Sequence, residues 1–177
     1  MGRILSRAIE AAGLGDCQAQ VLAGAELSAD QLARLERADL LVVAGLADVV
    51  RYHFHGDDVA IGSRVPNDSV LFERTTTEHG ATGAELLREL ALLRLRTPPR
   101  KRVAVSIDAL GLELAQTALV FGADMLVGDL GGARILPLLE GVGARRIELE
   151  GLVARSGRRA RFIEASVASA PELEQHP

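Results

Sequence analysis

Cysteine is almost missing from this chain, which limits the covalent and metal chemistry that it can support. Cys17 is the one cysteine among 177 residues, so no disulfide can form within the chain, as is typical of a reducing compartment. Zinc and iron–sulfur centres held by thiolates need several cysteines at short spacing. The sequence therefore predicts no cofactor and a cytoplasmic location.

Aromatic residues, lysine and long apolar runs are also scarce. Aromatic side chains make up 3% of the chain, so we expect an aliphatic core. Lys101 is the only lysine and the net charge is −4, which does not favour nucleic-acid binding. The most apolar run, residues 40–46, is far shorter than the roughly 20 residues of a membrane-spanning helix. We expect a soluble protein with no nucleic-acid or membrane partner.

The spacing of apolar residues predicts an N-terminal helical part followed by alternating strands and helices. Helices are predicted at residues 4–9, from the N-cap Ser28 with Gln31 in a capping box, and at about 39–54. Strands are predicted at 59–63, 70–74, 102–107, 124–127 and 161–165, with helices at 84–95 and 110–121. Residues 135–139 begin another βα step, which continues as a strand at 146–147 or a helix at 147–156. This alternation is typical of α/β proteins with parallel βα units.

The same pattern sets the expected domain organisation. We expect a single α/β domain over residues 1–168, with a helical preamble at 1–56 and βα units at 57–168. Residues 169–177 are predicted to be a disordered tail.

One segment resembles a known enzyme family. Residues 110–128 read LGLELAQTALVFGADMLVG, and the pattern LG-x-x-x-AQ-x-AL-x-FGAD-x-x-x-G resembles the closing barrel segment of a radical-SAM subfamily. That subfamily includes aminofutalosine synthase, the cyclic dehypoxanthine futalosine synthase and related deazaflavin-cofactor synthases. Residues 21–59, with HGD at 55–57, are similar to its N-terminal helical preamble. Residues 82–95 are similar to the helix that precedes the strand leading into LG-x-x-x-AQ, and residues 151–162 to the C-terminal helix and final strand. The resemblance implies a partial or shortened TIM-type barrel.

The chain departs from this family at the cluster-binding segment. The family's C-x-x-x-C-x-x-C motif is missing, because residues 59–72, which follow HGD, contain no cysteine. A complete barrel takes about 250 residues, so we expect the cluster loop and central strands to be missing too. Radical catalysis is therefore not expected, and no catalytic residue is carried over. A partial barrel leaves open sheet edges, which predicts a homodimer or a protein partner.

Two functions are compatible with this sequence. The first is a non-catalytic binding or accessory protein derived from a radical-SAM barrel and linked to futalosine-type menaquinone biosynthesis. The alternative is a small non-radical enzyme, of the nucleoside hydrolase or lyase type, that uses polar residues on the barrel rim.

The most polar loop supplies the first candidate site residues. Thr75, Thr76, Thr77, Glu78 and His79 follow a predicted strand, and α/β proteins bind ligands at the carboxyl ends of strands. These side chains suit hydrogen bonds to a sugar or base, and Glu78 with His79 suits acid–base chemistry. The alternative is a solvated loop that ends at a helix cap on Thr82.

Two aspartates and a glycine-rich turn complete the candidate set. Asp108 and Asp129 each follow a predicted strand, so we expect both at the same rim as the threonine loop. The turn GDLGG includes Gly131, and its backbone N–H groups suit an anion. It lacks a Walker lysine, and the alternative is an ordinary βα turn. Together these residues predict a nucleoside-like ligand.

Two other clusters are interpreted as structural. His53 and His55 form H-x-H, but on a helix the two imidazoles point about 200° apart, so no metal site is expected. The arginines at 155, 158, 159 and 161 are interpreted as a solvated face balanced by Glu148 and Glu150.

Overall fold

The computed structural model describes residues 3–74, 82–130 and 142–163. Within them, five parallel strands form one sheet in the order β2-β3-β4-β1-β5. The strands are β1 (Asp58–Gly62), β2 (Ser69–Phe72), β3 (Arg102–Ser106), β4 (Met125–Val127) and β5 (Arg159–Phe162). The α/β class and the parallel strands are as predicted. Among these residues β2 and β5 each pair on one side only, so the described sheet is open and does not close into a barrel.

The helices are α1 (Arg3–Ala11), α2 (Gly15–Leu22), α3 (Ala29–Arg37), α4 (Leu40–His55), α5 (Gly83–Arg96), α6 (Ile107–Leu110), α7 (Leu112–Ala118) and α8 (Val142–Arg155). A 3₁₀ turn, Leu119–Phe121, follows α7. No helix in the described ranges is both long and apolar enough to span a bilayer.

Helix starts were predicted best where a side chain caps them. Ser28 and Gln31 form the expected capping box at α3, and Thr82 and Glu85 form one at α5. In each box the hydroxyl accepts a hydrogen bond from an N–H of the first turn, and the residue at the third helical position bonds back to the cap. Gly56, with φ 63°, ends α4 as expected.

Two sequence interpretations were wrong in detail. No helix was predicted between residues 9 and 28, but α2 spans Gly15–Leu22. The helix expected over residues 110–121 is interrupted, because Gly111 (φ 77°) ends α6 and precedes α7. Of the two alternatives that the sequence left open, a strand at 146–147 or a helix at 147–156, the helix is the one observed, as part of α8. The step expected at 135–139 and the tail at 169–177 lie outside the described residues.

The two faces of the sheet are covered differently. Side chains alternate along each strand, and Val59, Ile61, Val103 and Val105 belong to the same buried cluster as residues from every one of the eight α-helices. The other face is a smaller cluster of Ala60, Ala104, Met125 and Val127, packed against Val65, Leu71 and Ile163. The described helices therefore lie on one face of the sheet, and short extended segments contact the other.

The connection between β1 and β2 explains this second face. Residues 63–68 leave the carboxyl end of β1 and re-enter at the amino end of β2, with β4 and β3 lying between those strands in the sheet. Val65 packs onto the small cluster, so the segment crosses on the face opposite the helices. The later connections move along the sheet in the other direction on the helical face. A crossover that runs in the opposite direction along the sheet and on the opposite face has the same handedness as the others. The β1–β2 connection therefore agrees with the rule that crossovers between parallel strands are right-handed.

A buried ion cluster joins α4 to the segment before β5. Arg51 Nε donates to Asp48 Oδ1 at 2.9 Å, and Arg158 Nη2 donates to the same oxygen at 2.5 Å. All three side chains are at most 4% exposed. Arg158 therefore does not belong to a solvated arginine face, contrary to the sequence interpretation. Separating Arg158 from Asp48 would leave a buried charge uncompensated, so the cluster stabilises the docking of the segment before β5 against α4.

Asp16 at the start of α2 gives a test of how the first helices pack. Its carboxylate accepts hydrogen bonds from Arg34 and Gln31, which hold the pKa at about 2 against an ordinary 3.8. We expect an NMR titration of Asp16 to give this low pKa in the wild type and a clearly higher pKa in Arg34→Gln. The control Arg37→Gln removes the same charge from the same helix and should leave the pKa low.

The sign of the stability effect follows from that shift. Because the folded pKa lies below the unfolded one, the contribution of Asp16 is present above pH 3.8 and is lost as the pH falls towards 2. An unchanged titration in Arg34→Gln would contradict the assigned contact.

Candidate functional site

A groove of about 400 Å³ lies at the carboxyl ends of β1, β3 and β4. These strands are adjacent in the sheet, so the residues that follow them meet at one edge. The groove is lined by Ser63, Arg64, Val65, Leu71, Ser106, Asp108, Val127, Gly128 and Asp129. Asp108 and Asp129, which the sequence predicted at a shared rim, do lie together here.

Asp108 is positioned by the short helix α6. The Ser106 hydroxyl caps this helix by accepting from the Ala109 N–H at 3.2 Å. Ile107 and Leu110 are buried in the helical face, so they anchor α6 and leave Asp108 exposed at the rim. The cap and the two anchors therefore set the direction of the Asp108 carboxylate.

A backbone hydrogen bond joins the two aspartates. Asp108 Oδ2 accepts from the backbone N–H of Asp129 at 3.0 Å. A Cβ added to Gly128 would lie 3.0 Å from the same Oδ2 atom. A side chain at this position would displace the carboxylate by a few tenths of an ångström, because the carboxylate of one βα turn packs on the backbone of the next.

The remaining predicted site residues lie outside the described part of the chain. They are Thr75, Thr76, Thr77, Glu78, His79 and Gly131. Their expected part in ligand binding therefore stays a prediction.

The sequence interpretation missed Ser63, Arg64 and Ser106. Ser63 and Arg64 follow β1 directly, and Ser106 ends β3, so the rule that selected Asp108 and Asp129 also applied to them. They were overlooked because Ser63 and Ser106 were assigned to the predicted strands 59–63 and 102–107, and Arg64 was given no role. The groove thus combines two hydroxyls, one guanidinium and two carboxylates, a set suited to a ligand rich in hydroxyl or amine donors.

A second polar cluster lies at the opposite, amino-terminal edge of the sheet and is deeply buried. Asp124 Oδ1 accepts from the Val103 N–H at 2.7 Å, and Asp124 Oδ2 lies 3.2 Å from His55 Nε2 and 3.8 Å from Arg94 Nη1. Burial raises the pKa of Asp124 and lowers the pKa of His55 and of Arg94. The cluster holds the start of β3 and β4 against α4 and α5, which is a structural role.

The histidine pair is placed as expected. His53 and His55 both lie on α4, where His53 is exposed and His55 Nε2 lies 2.9 Å from the Pro99 carbonyl oxygen. Within residues 3–74, 82–130 and 142–163, no three His, Cys, Asp or Glu side chains are grouped closely enough to hold a metal ion.

Comparisons with protein-family models, curated proteins and solved structures return no match for this chain. The relationship to radical-SAM synthases therefore remains a prediction based on the sequence pattern.

The contact between Gly128 and Asp108 gives a test of the groove. We expect Gly128→Ala to destabilise the protein by about 1 kcal/mol or less, because the new methyl group displaces the exposed Asp108 carboxylate and weakens its hydrogen bond to the Asp129 N–H. In an Asp108→Ala background the same change should cost clearly less, a coupling measurable as a double-mutant cycle by urea unfolding. The control Gly83→Ala, at the start of α5, meets only Leu114 at 3.7 Å and should not destabilise. Additive costs at positions 108 and 128 would contradict the packing described.

Proposed function

We propose that the protein binds a small hydroxyl-rich ligand of the nucleoside type at the carboxyl-edge groove, as a non-catalytic binding or accessory protein. The convergence of Asp108 and Asp129 on one groove of about 400 Å³ carries this proposal. Cavities of a few hundred cubic ångströms are typical of small-molecule sites.

The chemistry of the groove favours binding over catalysis. Carboxylate oxygens accept hydrogen bonds from the hydroxyls of a ribose, and Arg64 supplies donors for carbonyl or ring-nitrogen acceptors. None of the described residues that line the groove is His, Cys or Lys. The described lining therefore contains serine hydroxyls and carboxylates but no Ser–His or Cys–His pair of the kind that activates a nucleophile.

Two features of the fold are shared with βα barrels, although the strand order β2-β3-β4-β1-β5 differs from the sequential order of a barrel. In such barrels the helices cover the outer face of a parallel sheet, and ligands bind at the carboxyl ends of the strands. Here the described helices share one face of the sheet, and the groove lies at the carboxyl ends. The proposed connection to futalosine-type menaquinone biosynthesis rests on the sequence resemblance.

Thermal-shift measurements with futalosine, adenosine and inosine test the proposal. A ligand present at 100 times its Kd adds about 2.7 kcal/mol of stability, so we expect a clear rise in Tm with at least one ribonucleoside. The dideoxy analogue of that ribonucleoside should bind at least tenfold more weakly, because the carboxylates lose the hydroxyl donors.

A matched pair of variants locates the binding. Asp129→Asn changes a groove carboxylate and should weaken binding, whereas Asp30→Asn removes the same charge at the start of α3, outside the groove. Equal affinity in both variants, or no shift with any nucleoside, would refute the proposed site.

The proximity of two carboxylates also favours an alternative, a nucleoside hydrolase or lyase. Asp108 and Asp129 would then act with Glu78 and His79 as acid and base. Release of free base from a bound nucleoside, abolished in Asp108→Asn, would select this function. Binding of a nucleoside without release of free base would instead support the non-catalytic binding protein.

The open sheet edges support the proposed homodimer or protein complex. The β5 edge carries Arg159 and Arg161, whose side chains are 76% and 70% exposed, and charges of this kind discourage strand pairing. The β2 edge reads SVLF and has no charge, so we propose it as the contact edge.

Light scattering on a charged edge variant tests this arrangement. We expect the wild type to be a dimer at micromolar concentration and Val70→Lys to be a folded monomer, since the lysine places a charge on β2. Val120→Lys changes an exposed residue outside the sheet and should remain dimeric. A wild-type monomer would contradict the self-association proposed here.

A further inference from the structure

The β5 edge of the sheet carries two arginines on one face. Ala160 and Phe162 pack against the buried cluster on the helical face, so Arg159 and Arg161 point to the opposite face, because side chains alternate along a strand. Their side chains are 76% and 70% exposed. The Asp58 carboxylate lies 3.0 Å from the Arg159 guanidinium and 3.9 Å from that of Arg161. One carboxylate is shared by two cations, so this strip of surface keeps a positive charge.

Backbone groups at the same edge point outwards. The N–H groups of Arg159 and Ile163 donate to carbonyl oxygens just before and within β1, at 3.0 and 2.8 Å. Alternate residues of a strand turn their backbone groups to opposite edges, so the N–H and C=O groups of Ala160 and Phe162 point away from β1. In the described part of the chain, β1 is the only strand that pairs with β5. The edge can therefore accept a further strand.

The two arginines restrict which strand can be added. A second copy of β5 would place its own arginines opposite Arg159 and Arg161, and like charges that face each other across two strands are destabilising. An uncharged strand would cover the guanidinium groups without supplying a counter-charge. A strand with acidic side chains on the same face supplies both the hydrogen bonds of the ladder and the missing negative charge.

We propose that the β5 edge binds an extended acidic segment of a protein partner, in which acidic and apolar residues alternate. The acidic side chains lie opposite Arg159 and Arg161 on the exposed face. The apolar residue between them lies opposite Ala160, on the face where the Arg146 guanidinium lies 4.1 Å from the centre of the Phe162 ring. The surface therefore recognises charge on one face of the added strand and apolar character on the other.

The added strand is antiparallel to β5. In an antiparallel pair, residues alternate between hydrogen-bonded and non-hydrogen-bonded positions, and facing side chains are closer at the latter. Ala160 has outward backbone groups and so takes a hydrogen-bonded position, which leaves Arg159 and Arg161 at the two closer positions. This orientation brings the acidic side chains nearest to the guanidinium groups.

Short, fluorescently labelled, capped peptides test the proposal on the full chain by anisotropy. The first peptide alternates glutamate with valine, the second has glutamine in place of each glutamate, and the third has the composition of the first with its glutamates in one block. We expect the alternating acidic peptide to bind about tenfold more tightly than either control, because only this peptide places acidic side chains opposite both arginines. No binding of the alternating peptide, or equal binding of the block peptide, would overturn the proposal.

Methylation of peptide nitrogens tests the strand arrangement without changing the protein. In the antiparallel arrangement the N–H of the valine opposite Ala160 donates into the ladder, whereas the N–H groups of the flanking glutamates face away from β5. N-methylation of the valines should therefore abolish binding, and N-methylation of the glutamates should preserve it. Equal binding of the two methylated peptides would contradict strand addition.

Charge variants locate the peptide on the protein. Arg161→Glu should weaken binding of the alternating peptide about tenfold, because a guanidinium is replaced by a like charge. Arg37→Glu makes the same change at an exposed arginine at the end of α3 and should bind as the wild type does. Val70→Lys on β2 should also bind normally, so the outcome is independent of self-association at the other edge. Equal affinity of the two arginine variants would place the peptide elsewhere and refute the site.

Discussion

The buried carboxylate of Asp124 is the interaction on which the rest of this fold depends. One oxygen accepts the Val103 N–H at 2.7 Å, and the other lies among His55, Arg94 and Arg102. The single side chain therefore connects β3 and β4 to α4 and α5. Losing one partner of a buried ion pair typically costs about 3–5 kcal/mol, because the remaining charges are left uncompensated. The same arrangement holds Arg94 in place, where it donates to the carbonyl oxygens of Lys101 and Pro98.

The residues just before Asp124 follow from the same constraint. Gly122 has φ 101°, and a Cβ there would lie 2.8 Å from Arg94 Cγ and 3.0 Å from Ala47 Cβ. Phe121 and Ala123 are buried on either side. Each residue of FGAD therefore has a role in the turn before β4. Phe121 and Ala123 are buried, Gly122 adopts a positive φ in contact with α4 and α5, and Asp124 supplies the carboxylate of the charged cluster.

The reach of sequence reasoning can be judged from particular elements. The starts of α3 and α5 were predictable because Ser28 and Thr82 satisfy backbone donors locally. Helix α2 could not be predicted, because its two buried residues, Cys17 and Val21, are too few to give a helical pattern in the sequence. The helix is stabilised by the packing of these residues in the folded protein. The meeting of Asp108 with Asp129 followed from parallel topology. The path of the β1–β2 connection did not follow from the sequence, since the short segment between the predicted strands 59–63 and 70–74 gives no sign that β3 and β4 lie between them in the sheet.

These observations separate the part of the sequence that carries the family resemblance from the part that offers ligand chemistry. The FGAD residues lie at the amino-terminal edge, and each has a packing or charge-pairing role there. A stretch explained by the stability of the sheet says little about reaction type, because any chain that builds this turn needs similar residues. The exposed carboxylates lie at the other edge, in a groove whose shape depends on Gly128 and α6. The nature of the ligand must therefore be sought from the groove, and similarity in FGAD alone is a weak guide to it.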